Sequence, residues 1–153
     1  MKGFTIFFAM LVGALALSIG LAIYDLTVRE LDLSATATQS QYAIYAADSG
    51  AECALYWDNK YGGQGSAFGT SSGGVWGSGV VCNGQTVSSS WTIESNASAA
   101  TTTFSLTLAP QSSCVTVTLA KSGNPPQTTV TSYGRNTCAT GTARIERALQ
   151  VHY

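Results

Sequence analysis

Few side chains in this sequence are equipped for chemistry, and their spacing decides what that chemistry is. Four cysteines, Cys53, Cys82, Cys114 and Cys138, are widely separated, with no Cys-x-x-Cys pair among them. Zinc needs thiolates or imidazoles in closer sets, whereas this spacing suits covalent bridges between distant segments. The only histidine is His152, so no nucleophile, base and orienter can be assembled, and a strand position suits it better than a catalytic one. Asp48 and Glu52 lie one helical turn apart. A solvated face or an intersubunit ion pair accounts for them more simply than acid–base catalysis. Arg144 and Arg147 flank Glu146 and read as an exposed edge. Asn96-Ala97-Ser98 fits a glycosylation acceptor, which matters only in a host with the transferase. Neither a P-loop nor a Gly-x-Gly-x-x-Gly fingerprint occurs. The expectation is a chain that is not an enzyme, with no catalytic residue, metal, cofactor or small-molecule substrate.

Charge excludes a further class. Of 153 residues only 10% are charged, the net charge is −1, and the seven Lys and Arg are scattered. Phosphate neutralisation needs clustered bases, so nucleic acid is not an expected partner. The averages conceal two unlike materials joined end to end. The first is apolar and then helix-like; the second is rich in Ser, Thr and Gly, as surface β-proteins are.

Phe4 to Tyr24 carries no charge. As a helix those roughly 21 residues span about 32 Å, enough to cross the hydrocarbon core of a bilayer. Lys2 precedes the segment, and Asp25, Arg29, Glu30 and Asp32 come after it. The positive-inside bias then puts the N-terminus in the cytoplasm and everything beyond Tyr24 outside, as a single-pass membrane protein in contact with lipid. Ala9, Gly13, Ala16 and Gly20 supply small residues at mostly four-residue spacing, which lets another helix approach closely in lipid. Three readings fit the segment: a cleaved signal peptide with Ala14-Leu15-Ala16 as its cleavage site, a plain signal anchor, or a precursor cut near Lys2-Gly3-Phe4-Thr5.

The residues beyond Tyr24 favour a continuous helix. Tyr24, Val28, Leu31, Ala35, Tyr42 and Tyr45 recur at alternating spacings of four and three, continued by Thr38, Ser49, Glu52 and Tyr56. No Pro or Gly interrupts Leu21 to Ser49. One helix of about 55 residues, from Phe4 to near Tyr61, is expected, about 80 Å long. So small a head cannot cover it, so part of its surface needs lipid first and other subunits later.

The remainder reads as a head. Gly62 to Gly79 is a Gly/Ser-rich connection with Phe68, Val75 and Trp76 as packing anchors. Beyond it, alternation predicts antiparallel strands carrying Trp91 and Ile93; Phe104, Leu106 and Leu108; Val115, Val117 and Leu119; and Val130 with Tyr133. Ile145 to Tyr153 closes the chain as a fifth strand or a short helical turn. Ser122-Gly123-Asn124-Pro125-Pro126 is a turn. The resulting fold class is α+β, a long helix packed on a small antiparallel sheet, with Leu55, Tyr56 and Trp57 as candidate core contacts. If that turn closes a hairpin, Cys114 and Cys138 meet at its open end, which leaves Cys53 for Cys82. Each bridge contributes about 2–4 kcal/mol.

Gly3-Phe4-Thr5 ahead of an unbroken apolar stretch, then an amphipathic helix and a β head, resembles the type IV pilin and type II secretion pseudopilin superfamily. The segments Ala46–Asp58 and Arg144–Tyr153 are similar to minor-pilin-type proteins. The resemblance implies residues 1–3 as a leader, 4–61 as the transmembrane and amphipathic helix, and 62–153 as loop and head. It also implies a prepilin peptidase that cuts between Gly3 and Phe4, methylation of Phe4, and other pilin or pseudopilin subunits as partners through the helix. Two features depart from the family. Phe8 stands where major pilins carry a glutamate that neutralises a neighbour's N-terminal amine, and Met1-Lys2-Gly3 is very short for a leader. The missing carboxylate points to a minor or tip-proximal subunit of a pilus-like or secretion-like filament, at the cell surface or in the periplasm. The alternative is a monomeric, membrane-anchored binding or adhesion domain, whose head recognises glycan or protein through Trp76 and Trp91.

Overall fold

The structure, a computed structural model, describes residues 2–60, 66–69, 79–87, 92–96, 98–110, 112–123, 125–141 and 144–153. Their order is α1 (Lys2–Lys60), β1 (Val81–Cys82), β2 (Gln85–Thr86), β3 (Thr92–Ser95), β4 (Ala99–Leu108), β5 (Ser113–Ser122), β6 (Gln127–Arg135) and β7 (Glu146–His152). The fold is α+β, as the pattern of the sequence predicts. The chain divides into two compact units, Met1–Thr38 and Gln39–Tyr153, and α1 contributes to both. The helix is expected to end near Tyr61, which lies outside the described residues.

The first unit is helix alone. Ser18, Thr27, Thr36 and Thr38 return their hydroxyls to carbonyls three or four residues earlier, at 2.8–3.0 Å. That internal satisfaction makes Ser18 inexpensive inside an otherwise apolar stretch. Asp25 and Arg29 form an exposed i,i+4 pair at 3.1 Å, worth a few tenths of a kcal/mol, on the order of other surface helix pairs.

In the second unit, β3-β4-β5-β6-β7 form an antiparallel meander, every neighbour in sequence being a neighbour in the sheet. Side-chain alternation sorts it into two faces. Ala100, Phe104, Leu106, Val115, Val117, Leu119 and Val130 point inward and are buried. The outward face is a ladder of hydroxyls, with Thr103 to Thr118 at 3.3 Å and Ser105 to Thr116 at 3.1 Å. Ile145–Tyr153 resolves as strand rather than helical turn, because Glu146 to His152 pair residue by residue with β6.

The part of α1 that packs on this sheet is made of small residues. Ala43, Ala46, Ala47, Gly50, Ala51 and Ala54 are all buried. Alanine favours helix and carries no bulk, so the helix backbone can lie close to the strands. The facing strand matches it. A Cβ on Gly134 would collide with the backbone of Ala43 and Ala47, and Ser132 Oγ donates to the Ala47 carbonyl at 2.7 Å. Larger side chains fill the flank: Phe68, from the connection after the helix, stacks on Phe104 at 5.8 Å between centroids. Leu55 and Trp57 pack partly buried against the core. Tyr56 corrects the sequence reading, because its place at the pole of α1 opposite the alanines leaves it 57% exposed.

Inside the core, Thr102 is buried and its Oγ1 has no hydrogen-bond partner among the described residues. A buried hydroxyl without a partner costs about 1–3 kcal/mol, and valine has nearly the same shape. Thr102→Val is therefore expected to raise stability by about 1 kcal/mol, read as a higher urea midpoint at unchanged slope. A lower midpoint would mean that the hydroxyl is satisfied after all.

Candidate functional site

The surfaces available to this chain can be built from the helix outward. In the first unit every described side chain from Gly3 to Thr38 is exposed, large apolar ones included: Phe4, Phe7, Phe8, Leu17, Leu21 and Leu31 among them. Among the described residues α1 is the one helix long and apolar enough to cross a membrane. Ala9, Gly13, Ala16 and Gly20 lie along one side of it, and nothing among the described residues stands within 4 Å of where a Cβ on Gly13 or Gly20 would be. That side can admit another helix at close range. Gly3 and Phe4 are helical and exposed, so the bond between them is on the surface.

In the second unit the helix presents a different face. Opposite the alanines, Tyr45, Ser49, Glu52 and Tyr56 are exposed and Tyr42 is half-buried. Between this face and the sheet runs a groove of about 390 Å³, lined by Glu52, Tyr56, Trp57, Val81, Asn83 and Leu106 among others. A smaller hollow of about 280 Å³ shares Ser49 and Leu108 with it and reaches Tyr42 and Tyr45. Trp57 Nε1 donates to the Val81 carbonyl at 3.0 Å, which fixes one wall. Lys60 Nζ sits 4.5 Å from the Trp57 ring centroid and 5.1 Å from that of Tyr56, a cation over two aromatic faces. The face is aromatic and sparsely charged. It offers contact area rather than reactive groups.

The β1–β2 hairpin on that wall is absent from the sequence reading. Asn83 and Gly84 both have positive φ, 48° and 72°, the geometry of a two-residue hairpin turn. The Asn-Gly dipeptide is its signal, a faint one because each strand has only 2 residues. The hairpin is tied to the helix by the Cys53–Cys82 disulfide. The second disulfide, Cys114–Cys138, joins β5 to the segment after β6.

At the C-terminal end of α1 sits a buried charge cluster. Lys121 Nζ lies 2.5 Å from Asp58 Oδ1, and their side chains are 7% and 5% exposed. Ser66 Oγ donates to the same oxygen, and Tyr153 OH donates to Asp58 Oδ2 at 2.6 Å. One carboxylate thus gathers the helix end, the connection, β5 and the residue after β7. Burial foremost, then the hydrogen bond and charge of Asp58, push the Tyr153 phenol well above the ordinary tyrosine range, against a smaller opposing hydrogen bond involving Thr128. The sign follows from the neutral form being the protonated one. With the folded pKa raised, the stabilisation is complete below the unfolded tyrosine pKa of about 10 and is lost as pH rises past it. The melting temperature is expected to fall above about pH 10, and to fall less in Tyr153→Phe, which cannot ionise. Identical alkaline slopes for the two proteins would contradict the arrangement.

The remaining candidates stand apart from these surfaces. His152 lies in β7, exposed, with Nδ1 at 2.9 Å from Thr129 Oγ1. Asp48 and Glu52 are exposed on α1. Glu146 pairs with Arg135 at 2.6 Å, and Arg147 Nε donates to Ser40 at 2.8 Å. Trp76, Val75 and Trp91 lie outside the described residues. Among the described residues no three His, Cys, Asp or Glu side chains gather as a metal site would require. Comparison with protein-family models, curated proteins and solved structures finds no match to this chain.

Proposed function

We propose that this chain is a structural subunit of a type IV pilus-like or type II secretion-like filament, a minor or tip-proximal one, anchored and assembled through its N-terminal helix. The observation that carries the reading is the uncovered surface of Gly3 to Thr38, apolar and without charge from Phe4 to Tyr24. A surface of that size in water would drive aggregation; lipid before assembly and neighbouring helices afterwards are its natural solvents. Gly13 and Gly20 allow close helix approach, and Phe8 leaves no carboxylate to neutralise a neighbour's amine, as suits a subunit at the tip. In this reading the N-terminus is cytoplasmic and the head lies outside, where Cys53–Cys82 and Cys114–Cys138 persist as disulfides.

The test is the mass of the mature protein extracted from membranes. A chain beginning at Phe4, with or without a methyl group, is expected. An intact Met1 leaves a plain anchored domain, and a start beyond Ala16 makes the segment a cleaved signal.

A further inference from the structure

We propose that Asn96 is an acceptor site for an N-linked glycan, transferred from a lipid-pyrophosphate carrier by a membrane oligosaccharyltransferase. The site depends on the filament-subunit reading in one respect, that the head lies on the side of the membrane where such transferases work. Of the five asparagines, only Asn96 is followed at the second position by Ser or Thr. Glu94 precedes Asn96 by two residues, giving Glu94-Ser95-Asn96-Ala97-Ser98, and adds an exposed carboxylate to the surface that a transferase would meet.

The position suits a macromolecular enzyme. Asn96 comes directly after β3 at the turn into β4, closed by the Ser95–Ala100 pair and by the Asn96 amide donating to the Ala99 carbonyl at 2.8 Å. Glu94, Asn96 and Ser98 are all exposed. Asn96 Oδ1 accepts from the Ser98 amide at 2.9 Å, from Ser98 Oγ at 3.1 Å and from the Ala99 amide at 2.8 Å. These bonds fix the side chain by its oxygen and leave Nδ2, the atom to be modified, unengaged among the described residues. The hydroxyl at the second position contacts the acceptor amide directly. A Ser/Thr-rich head with little charge gains solubility from a glycan at a hairpin tip.

In the transfer, Asn96 Nδ2 bonds to the anomeric carbon of the first sugar. The bond from that carbon to the phosphate oxygen breaks, the lipid pyrophosphate leaves with the electron pair, and the amide loses one proton to a transferase carboxylate. No oxidant or reductant is needed.

The test uses the full-length chain purified from the envelope of its own host, cut with chymotrypsin at Trp91 and Phe104, with the 92–104 peptide fragmented by electron transfer. The expected result is an increment of whole sugar residues on Asn96, absent in Asn96→Gln and Ser98→Ala, retained in Ser98→Thr, and reduced in occupancy in Glu94→Gln. An unmodified peptide from the wild-type chain overturns the site, as does an increment that survives Asn96→Gln, which would be O-linked. Occupancy unchanged by Glu94→Gln overturns the role of Glu94. Protease added to the outside of spheroplasts separates the two levels. A digested head with bare Asn96 refutes the site alone, and a protected head refutes the topology with it.

Discussion

Gly134→Ala is expected to cost the head more than about 3 kcal/mol, and Gly134→Val to abolish its cooperative unfolding. Overpacking in a core costs about 1–3 kcal/mol when neighbours can yield. Here they cannot, because the added Cβ meets the backbone of α1 at Ala43 and Ala47 rather than the tips of side chains. The helix would have to lift from β6, breaking the Ser132–Ala47 hydrogen bond and opening the contact along Ala43, Ala47 and Gly50. Two other glycines calibrate the effect. At Gly50 a Cβ meets Val115 Cγ2 at 2.5 Å, Ser132 Oγ at 2.7 Å and Val117 Cγ2 at 2.8 Å, all side-chain ends, so Gly50→Ala should cost less. Gly141 is exposed with nothing among the described residues within 4 Å, and Gly141→Ala should be nearly silent. The order of denaturation midpoints, Gly134→Ala below Gly50→Ala below Gly141→Ala, checks the helix–sheet contact. Equal midpoints would remove it.

The second large effect is expected at Asp58. Removing one partner of a buried ion pair leaves the other charged and desolvated, which costs about 3–5 kcal/mol. Asp58→Ala should therefore destabilise the head by about that amount, since Lys121 loses its counter-ion and Ser66 and Tyr153 lose their acceptor. Replacing both charges by apolar residues of similar size, Asp58→Leu with Lys121→Met, should restore most of the loss, because the larger part of the cost is the stranded ammonium rather than the lost acceptor of Ser66 and Tyr153. Urea unfolding of the two variants beside the parent decides it. A single variant within about 1 kcal/mol of the parent would place the pair in water, where such bridges are worth little.

The strands of the meander were legible because they alternate. Phe104 and Leu106, Val115, Val117 and Leu119, and Val130 each mark a buried face at a period of two, and a half-buried antiparallel sheet requires that pattern. The helix was legible for its extent and misleading for its faces. Its strongest periodic signal, Tyr42, Tyr45, Ser49, Glu52 and Tyr56, lies on the side turned away from the sheet. The buried side is written in Ala and Gly, which contribute little to any hydrophobic pattern. Small residues pack through their backbones, and that contact exists only once Gly134 of β6 is in place. The Asp58–Lys121 pair was illegible for a related reason: its partners are 63 residues apart, and nothing local to either announces the other. The aromatic side left over on α1 is where the candidate surface of the head lies, and the ring of Tyr56, which reads as core by its size, says nothing about direction.

The most direct test of the assembly account is site-specific photocrosslinking in living cells, with a photoreactive residue at Leu17 in the first unit and, separately, at Tyr45 in the second. The account predicts ladders from both positions, joining this chain to other helical subunits, and no ladder from Gly141. A single uncrosslinked chain at every position, in cells that assemble their filaments, would contradict it.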